Sequence, residues 1–577
     1  MNSGRINNML NTEIAQIFRD IAKILEIKQE NVFRVRAYER AAQNIEALDE
    51  DISGLARENR LSEIPGVGKD LSGKITEYCL TNKIKYFEQL KKEIPQGVLE
   101  LLSVPSVGPK TVRLLFEKLK VKSVAGLEKA ISKGRLNNVP GIKEKTIANI
   151  LKGIAIFKRG KERITLAQAT KIAGDFSESL SGMNEVDKLS SAGSLRRQKE
   201  TVGDIDILIV SQKPAKVMHK FTRLPSVAQV LASGATKASV RTRQDVQVDC
   251  RVVEAKSFGA ALVYFTGSKD FNIRLRQIAI KKGLKVNEYG VFRKNKFICG
   301  RTEEDVFKAL GLPYIEPELR ENRGEIELAM QGRLPELVGL KDIKGDLHTH
   351  SDWSDGVSSI EEMAQAARER GYEYIALTDH SQSLKIANGL SVEDLKKKKA
   401  QIDRVNSRLK GITVLFGTEV DIDSQGRIDY KDDILKGFDI VVAAIHTGFK
   451  QASAQLTKRL VSACRNKYVH VIAHPTGRLW GVRDAYPVDM NEVFKAAKDT
   501  NTHMEINSFP NRLDLNDINC RRASELGIKF TISTDSHEST QLDAIRFGLS
   551  VARRAGLTKN SVINTYGLNK LLKEIRK

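Results

Sequence analysis

At 577 residues the chain is too long for a single ordinary core, and its five cysteines stand singly with no C-x-x-C pair, which excludes a disulfide framework and a zinc ribbon. The formal charge of +22 is uneven: residues 341–577 carry about +5, leaving about +17 on the first 340, the footprint of a polyanion partner. The opening MNSGRINNMLNTEIAQIF lacks the apolar core of a signal peptide and no apolar run approaches the roughly 20 residues that span a bilayer, so the expected setting is cytoplasmic, reducing and membrane-free.

In chain order, Ile14, Ile17, Phe18, Ile21 and Leu25 recur at helical spacing, and few turn signals interrupt residues 5–60, which predicts a small helical region. A weak internal repeat follows: SEIPGVGKDLSGKI at 62–75, LSVPSVGPKTVRLL at 102–115 and NNVPGIKEKTIANI at 138–151. Each copy reads as an apolar-proline turn leading into a helix. The turn IPGVGKD resembles the helix-hairpin-helix motif, in which glycines let backbone N–H groups approach a DNA phosphate at a helix start, whatever the base sequence. Gly66 and Gly68 complete the first copy, Gly108 is retained in the second, and the third, Val139-Pro-Gly-Ile-Lys, lacks the second glycine.

From about residue 160 the texture turns to strands, notably DIDILIV at 204–210 and DVQVDCRVV at 245–253, which predicts a mixed-sheet domain. Asp204 and Asp206, two residues apart at the start of a strand, face one side of it, and Asp249 can project from a neighbouring strand towards the same place. Three carboxylates on one sheet face are costly unless divalent cations neutralise them. Two cations there suit nucleotidyl transfer, lowering the pKa of a 3′-hydroxyl and stabilising charge on phosphates. Upstream, in AGSLRRQKETVGDIDILIV (192–210), the Gly193-Ser194 turn offers N–H groups and a hydroxyl, and Arg196 or Arg197 adds cationic donors for a triphosphate.

These features together resemble the X-family DNA polymerases, the group containing DNA polymerase beta. GS-x-RR followed by G-D-x-D matches the family's nucleotide and metal motif without a gap, the strand of Asp249 supplies its third carboxylate, and YFTGSKDFNIRLR (264–276) is a second match. The resemblance implies that Tyr264 and Phe265 pack near the sugar and discriminate against ribose, with Gly267 in the same nucleotide pocket. It implies that Asn272 bonds the minor-groove edge of the incoming base, that Arg276 contacts the template strand, and that Arg197 holds the triphosphate with Gly193, Ser194 and Gly203. A lyase is implied as well: Lys74 of LSGKITEY would form a Schiff base with an abasic sugar, assisted at a 5′-phosphate by Arg34, Arg36 and Tyr38. A nucleophilic lysine needs desolvation or neighbouring cations such as Lys69. Asp70 departs from the lysine of the family's eukaryotic repair enzyme, which weakens the phosphate pocket.

Residues 312–344 have a proline-containing charged start and no sheet pattern, and read as a connector with some helix. Beyond them YIALTD, ITVLFGTEV, FDIVVAAIH, VHVIAHP, HMEINS and KFTISTDSH alternate with helical segments, the rhythm of parallel β/α units closing into a barrel. Of nine histidines only His219 precedes residue 340. In GDLHTHSDWSDG, His348 and His350 point the same way from an extended backbone and could share a metal. His348, His350, Asp355, His380, Glu419, His446, His474, Asp535 and His537 recur at strand ends, positions that converge on one mouth of a β/α barrel. Residues 341–570 resemble the PHP (polymerase and histidinol phosphatase) domain, a distorted seven-unit barrel with a trinuclear metal site. The resemblance assigns His348, His350, Glu419 and Asp535 to one metal, Glu419 with His446 and His474 to a second, and Asp355, His380 and His537 to a third. Manganese, zinc and iron all suit such mixed imidazole and carboxylate ligation. His470 and His503 fall outside the pattern and are expected to be structural.

The two resemblances imply a multidomain chain: a helical domain over 1–90 and a fingers-like helical domain over 91–158, both with helix-hairpin-helix turns, then an α+β nucleotidyltransferase palm over 159–260. A thumb-like nucleotide-selection subdomain over 261–315, a linker over 316–340 and a distorted (β/α)7 PHP barrel over 341–577 complete it. The expected protein is a monomeric DNA-directed DNA polymerase of base excision repair, working on gapped or primer-template DNA and deoxynucleoside triphosphates. It would use Mg2+ or Mn2+ at Asp204, Asp206 and Asp249, and three divalent metals (Mn2+, Zn2+ or Fe2+) in a barrel with 3′-5′ exonuclease activity. The alternatives are a barrel that acts as an abasic-site endonuclease, a phosphatase or a structural module, a template-independent nucleotidyltransferase, and a non-catalytic DNA-binding scaffold.

Overall fold

A computed structural model of the chain describes residues 4–46, 48 and 50–576. Residues 1–3, 47, 49 and 577, which belong to the expected first helical domain and the end of the barrel domain, lie outside the described residues. Among the described residues no helix is long and apolar enough to cross a membrane. The chain divides into two compact units, one built on Met1–Lys161 and the other on Glu162–Trp480 and Asp484–Lys577.

In the first unit α1 (Gly4–Ile27) packs on α2 (Val32–Glu46). Ile14, Phe18, Ile21 and Leu25, spaced four, three and four residues apart, make one fully buried stripe that meets Tyr38, Ala41, Ala42 and Ile45. The Phe18 and Tyr38 rings meet edge to face at 5.4 Å. The three repeats share one build, a short 3-10 turn, a proline turn with one left-handed residue, and then a helix. Gly66 (φ 80°) and Gly141 (φ 86°) take the left-handed position in the first and third copies, but Ser106 (φ 71°) takes it in the second, a conformation that glycine adopts freely and serine does not. Gly68 and Gly108 then cap α3 (Lys69–Thr81) and α4 (Pro109–Leu119). Lacking side chains, they leave the N–H groups of the first turn to water or a ligand. The third turn leads into α5 (Glu144–Glu162).

The second unit opens with a mixed sheet. Its strands, among the described residues, are β1 (Lys188–Ser191), β2 (Asp204–Val210), β3 (Val227–Ser233), β4 (Lys237–Thr242) and β5 (Gln247–Val253), in the spatial order β1-β2-β5-β4-β3. Only the β2–β5 pair in this sheet is parallel. Ile205, Ile207 and Ile209 of β2 pack into the core with Phe176 and Phe221, while Leu208 and Val210 face Phe258, Ala261 and Leu262. Burial on both faces explains why β2 reads as a nearly continuous apolar run after Asp206. Helices α6 (Phe258–Thr266) and α7 (Lys269–Lys281) follow, then a three-stranded antiparallel sheet within 285–299. The expected connector carries a 3-10 turn at Pro317–Leu319 and a helix at Glu325–Met330.

The remainder is a parallel sheet whose seven strands, among the described residues, follow one another in sequence order: β6 (Gly345–Thr349), β7 (Tyr374–Leu377), β8 (Thr413–Asp421), β9 (Ile440–Ala444), β10 (Val471–Ile472), β11 (His503–Asn507) and β12 (Phe530–Ser533). A parallel bridge from Thr349 to Ser536 brings the last strand back beside the first, so the sheet is a nearly closed barrel. Leu347, Tyr374, Leu415, Ile440, Val442 and Val471 fill its interior together with Tyr566, Leu571 and Ile575 of the C-terminal segment. Helices α8 (Asp517–Glu525) and α9 (Ile545–Arg554) flank strand β12 in the chain.

Candidate functional site

The parallel pairing of β2 with β5 aligns Asp206 directly with Asp249, and the next inward-alternating position of β2 is Asp204. Asp204 is exposed, and Asp206 and Asp249 are half-buried. Burial, reinforced by the charges of Asp204 and Asp249, pushes the Asp206 carboxyl up to about 7. A divalent cation removes that repulsion, so the donor set fits one. Asp249 accepts hydrogen bonds from the Ser239 hydroxyl and, at 3.1 Å, from Gln247 Nε2. Gly193 (φ 62°) faces this cluster, and a Cβ on it would lie 2.5 Å from Asp206 Oδ2, so the turn must be glycine to pass beside the carboxylates.

Around this edge the structure gathers the other nucleotide candidates. Gly193, Ser194 and Leu195 lie in the one-turn helix Gly193–Arg196. Arg197 follows it, its Nε donating to Glu321 Oε1 at 3.0 Å and its Nη1 to the Thr266 carbonyl. The neighbouring Arg196 gives both Nη groups to buried Glu303, whereas among the described residues Arg197 gives only Nε and Nη1 and keeps Nη2 for a further acceptor. Gly267 (φ 70°) ends α6, and a Cβ there would come within 3.2 Å of Arg197 Nη1. A Cβ on Gly203 would likewise meet Arg163 Nη1 at 3.2 Å. Tyr264 is partly exposed beside Phe265, ring centroids 5.1 Å apart, with the Arg251 guanidinium 4.5 Å above Phe265. Asn272 Nδ2 donates to the Tyr264 carbonyl at 2.7 Å, and Arg276 is exposed on α7.

In the first unit Lys74 is nearly buried, 12% exposed, and is paired with Asp70 at 2.5 Å. Its ammonium lies 5.3 Å from the Tyr86 ring and 6.0 Å from Tyr38. Arg34 is exposed and stacks over Tyr86 at 5.2 Å, and Arg36 is exposed. Tyr38, expected to help bind a 5′-phosphate, is 1% exposed beneath these residues and offers DNA no surface in this conformation.

The barrel gathers its nine candidates at the C-terminal ends of the strands. Glu419 of β8 stands at the centre: His474 Nε2 and His446 Nε2 lie 3.0 and 3.2 Å from its Oε1, and His380 Nδ1, His348 Nε2 and His350 Nε2 lie 2.8, 3.5 and 3.7 Å from its Oε2. Asp535 Oδ1 is 3.2 Å from His350 Nε2 and 3.6 Å from His348 Nε2. Asp355 Oδ2 is 3.4 Å from His380 Nε2 and 3.3 Å from His537 Nε2. Ligand atoms converge within 4.8 Å in three groups: His350, Asp355, His380 and His537; His348, His350 and Asp535; and His380, Glu419 and His446. Among the described residues the three palm aspartates do not close to that distance.

Divalent cations fit this cluster. His348 Nε2, both ring nitrogens of His350 and Glu419 Oε2 are buried with no hydrogen-bond partner among the described residues, a costly arrangement unless a ligand completes it. Against burial, which pushes it up, His446, His348 and His380 hold Glu419 well below the usual carboxylate range. Burial and the neighbouring His537 and His380 push His350 down to about 4, and burial with Arg512 pushes His474 down to about 3. Against burial, which pushes them down, the carboxylates of Glu419, Glu505, Asp355 and Asp535 push His348, His380, His446 and His537 up. Ionised carboxylates and neutral imidazoles are the forms that bind cations, so a metal entering this cluster displaces protons from those four rings. His474 (φ 28°) and Asp535 (φ 55°) are held in left-handed backbone, strain that persists where the surroundings fix a side chain.

A layer behind the candidates was not anticipated from sequence. Glu505 of β11 accepts from or shares a proton with His348 Nδ1 at 2.7 Å and accepts the His474 backbone N–H at 2.7 Å. Asp421 lies 3.2 Å from His446 Nδ1, and the Asp535 carbonyl lies 2.8 Å from His537 Nδ1. Such contacts fix the ring orientation of a histidine ligand. The signal was present in the strand ends themselves, since Asp421 lies two residues beyond Glu419 and Glu505 sits in HMEINS. Of the two histidines expected to be structural, His470 accepts the Val441 N–H through Nδ1 at 2.9 Å, and His503 is buried in β11.

Comparison with known proteins gives four family matches and several relatives. A helix-hairpin-helix domain model matches residues 9–84, a SAM-like helix-hairpin-helix tandem 98–155, a DNA polymerase beta thumb 261–321 and a PHP domain 346–508. The chain is 39% identical over 560 residues to the DNA polymerase/3′-5′ exonuclease PolX of Bacillus subtilis (strain 168), covering 96% of this chain and 97% of that one. It is 25% identical over 344 residues to DNA polymerase lambda of Rattus norvegicus, 54% of this chain and 56% of that one. It is also 32% identical over 231 residues to a probable phosphatase of Thermoanaerobacter sp. (strain X514), 38% of this chain and 89% of that one.

Proposed function

The chain belongs to the family of the DNA polymerase/3′-5′ exonuclease PolX, and on that premise we propose that it fills short gaps in DNA with its palm and trims 3′ ends with its barrel. The observation that carries this reading is the pair of separate carboxylate centres, one on β2 and β5 and one at the barrel mouth. Asp204, Asp206 and Asp249 would hold Mg2+ or Mn2+, and the nine barrel residues would hold three divalent metals, with Mn2+, Zn2+ and Fe2+ all compatible with the donors. Bound cations supply Lewis-acid activation of the attacking oxygen and neutralise charge on the phosphates.

The protein's own groups do the rest. Backbone N–H groups of the Gly193 turn and Gly203, the Ser194 hydroxyl and the Arg197 guanidinium bind and orient the triphosphate. Tyr264 and Phe265 present a wall of aromatic surface to the sugar, Asn272 lies within reach of the incoming base, and exposed Arg276 meets the template. Gly66, Gly68 and Gly108 bring helix N-termini to DNA phosphates, a contact indifferent to sequence. In the barrel, Glu505 and Asp421 orient His348 and His446, two of the histidines that would hold the cations. Lys74 would serve a lyase only once freed from Asp70. The likeness to a probable phosphatase favours a second reading for the barrel, hydrolysis of a phosphate monoester.

The test uses a 5′-labelled primer on a one-nucleotide gap with Mn2+, with and without nucleotides. The wild-type protein extends the primer when nucleotides are present and trims it when they are absent. His348→Ala/His350→Ala extends only, and Asp204→Ala trims only. Loss of both activities in a folded Asp204→Ala protein counts against separate sites, and a barrel that releases phosphate from p-nitrophenyl phosphate yet never trims the primer supports the second reading.

A further inference from the structure

The turn read as the triphosphate cradle is held from outside the palm. Arg554, the last residue of α9 in the barrel, is 1% exposed in its side chain. Its Nη1 donates to the Arg197 carbonyl at 2.8 Å and to Glu321 Oε1 at 3.0 Å, the same carboxylate oxygen that receives Arg197 Nε. Its Nη2 donates to Asp517 Oδ2 of α8 at 2.8 Å, where Arg323 also donates at 2.9 Å. Two further bonds tie the same palm turn to the barrel: Ser550 Oγ to Gln198 Oε1 at 2.9 Å, and Arg478 to Glu200 at 2.7 Å. Every palm partner lies between Arg197 and Glu200, the segment that joins the glycine turn to the strand of Asp204.

The chemistry of the chain decides its consequence. Arg197 and Glu321 are nearly buried, at 12% and 11% exposure, so a Glu321 carboxylate that lost Arg554 would keep Arg197 as its partner but lose the anchor that fixes where it holds that guanidinium. Burial pushes the Glu321 carboxyl up, but Arg554, Arg197 and Lys199 hold it below its ordinary range, so it stays ionised as an acceptor shared by two arginines. Glu321 and the Thr266 carbonyl occupy Nε and one Nη1 proton of Arg197, which fixes the guanidinium plane and leaves Nη2 for an anion.

We propose that Arg554, a barrel residue whose hydrogen bonds go to Arg197, Glu321 and Asp517 and to none of the barrel's metal candidates, is a positioning residue for nucleotide binding in the palm. It anchors the Arg197 peptide directly and the Arg197 guanidinium through Glu321. The barrel is on this account part of the polymerase's nucleotide site as well as a second active site. The proposal rests on the reading of Arg197 as a triphosphate ligand.

The experiment measures kcat and the KM for the incoming nucleotide on one-nucleotide-gap DNA with the full chain, together with primer trimming by the same preparations. Arg554→Ala raises the nucleotide KM roughly 10- to 100-fold, the size expected for losing a charge-assisted hydrogen bond, while kcat at saturation stays within a few-fold and trimming is unchanged. Arg554→Lys recovers part of the loss, Glu321→Gln reproduces it, and the Arg554→Ala/Glu321→Gln double variant is no worse than the more damaged single variant, as members of one chain should be. Wild-type KM in both Arg554→Lys and Glu321→Gln overturns the proposal, even where Arg554→Ala fails to fold. Arg197→Ala separates the two failures: if it raises KM but the Arg554 and Glu321 variants do not, the cradle reading stands and the barrel's part in it falls. If Arg197→Ala leaves KM unchanged, the cradle reading falls and the proposal with it.

Discussion

Asp206 and Asp249 face each other across β2 and β5, the only parallel pair in their sheet, in a register that runs unbroken from Asp204 and Gln247 to Val210 and Val253. A one-residue slip would turn one of them to the opposite face. Their repulsion, with that of Asp204, is what pushes Asp206 up after burial has done so, and it gives the site an opposed signature in activity and stability. If Asp206 is a cation ligand as proposed, Asp206→Asn lowers primer extension by on the order of a thousand-fold or more. In chelator the same variant unfolds at a temperature equal to or above that of the wild type, because a like charge is gone. Extension assays and thermal melts on one preparation check both halves, and a large drop in melting temperature would assign Asp206 to the scaffold instead.

Gly193 tests the same corner from the other side. A methyl at this position meets Asp206 Oδ2 at 2.5 Å and is strained by a φ of 62°. Gly193→Ala costs about 1 kcal/mol or more of stability and raises the nucleotide KM, whereas Gly174→Ala, which has open space within a helix, leaves KM unchanged.

Glu505 should govern the barrel metals without ligating them. It lies 2.7 Å from His348 Nδ1 and holds the His474 backbone N–H, so Glu505→Ala frees one ring to rotate and loosens the other's main chain. Metal affinity falls roughly 10- to 100-fold, in the range measured for such supporting groups. Titration of trimming with Mn2+ shifts its midpoint to higher concentration and recovers at saturation, while extension on gapped DNA keeps its wild-type rate. Trimming that excess Mn2+ cannot restore would place Glu505 among the reacting groups.

Much of this was legible in the residues because strand periodicity carries position. D-x-D at a strand start put two carboxylates on one face, and histidines at the ends of successive apolar runs converged because parallel β/α units close with those ends together. What escaped was information that depends on the rotamer and the partner. HMEINS places Glu505 near a strand end but does not say that it reaches His348, 157 residues away in the chain. In FRVRAYERAA the spacing of Tyr38 from Ala41, Ala42 and Ile45 points to the buried stripe, but a tyrosine hydroxyl also suits a phosphate, and only the packing against Phe18 decides between them. Nor does the sequence distinguish Arg196 from Arg197. The structure does, because Glu303 takes both Nη groups of Arg196 while Glu321 and the Thr266 carbonyl leave Nη2 of Arg197 over.

The pairing of Lys74 with Asp70 sets the outlook for lyase chemistry. A Schiff base forms at a Lys74 Nζ that is free to reach the sugar carbon, and the 2.5 Å contact with Asp70 ties that atom down. Asp70→Asn therefore increases the amount of protein trapped on abasic DNA by borohydride, and Lys74→Ala abolishes whatever trapping occurs. Equal trapping by the wild type and Asp70→Asn would show that the ion pair opens freely on DNA and controls nothing.

Glu303 joins Arg196 of the palm turn to Arg320, whose side chain is fully buried, at 2.6 and 2.7 Å. Burial pushes its carboxyl up, but the two guanidinium groups outweigh burial and hold it down to about 2 from an ordinary 4.5. A folded value below the unfolded one means that the unfolded chain binds the proton first, so the stabilisation is complete above pH 4.5 and drains away as the pH falls from there towards 2. The difference corresponds to roughly 3 kcal/mol at neutral pH. Glu303→Gln leaves Arg320 buried without its counter-charge and costs roughly 3 to 5 kcal/mol near pH 7. The informative quantity is the gap in melting temperature between wild type and variant, measured at pH 7, 5, 4 and 3. It stays constant from pH 7 to 5 and narrows below 4.5 as the wild type loses what the glutamine variant never had, and a gap that does not change with pH would mean that the arginines do not hold Glu303 ionised.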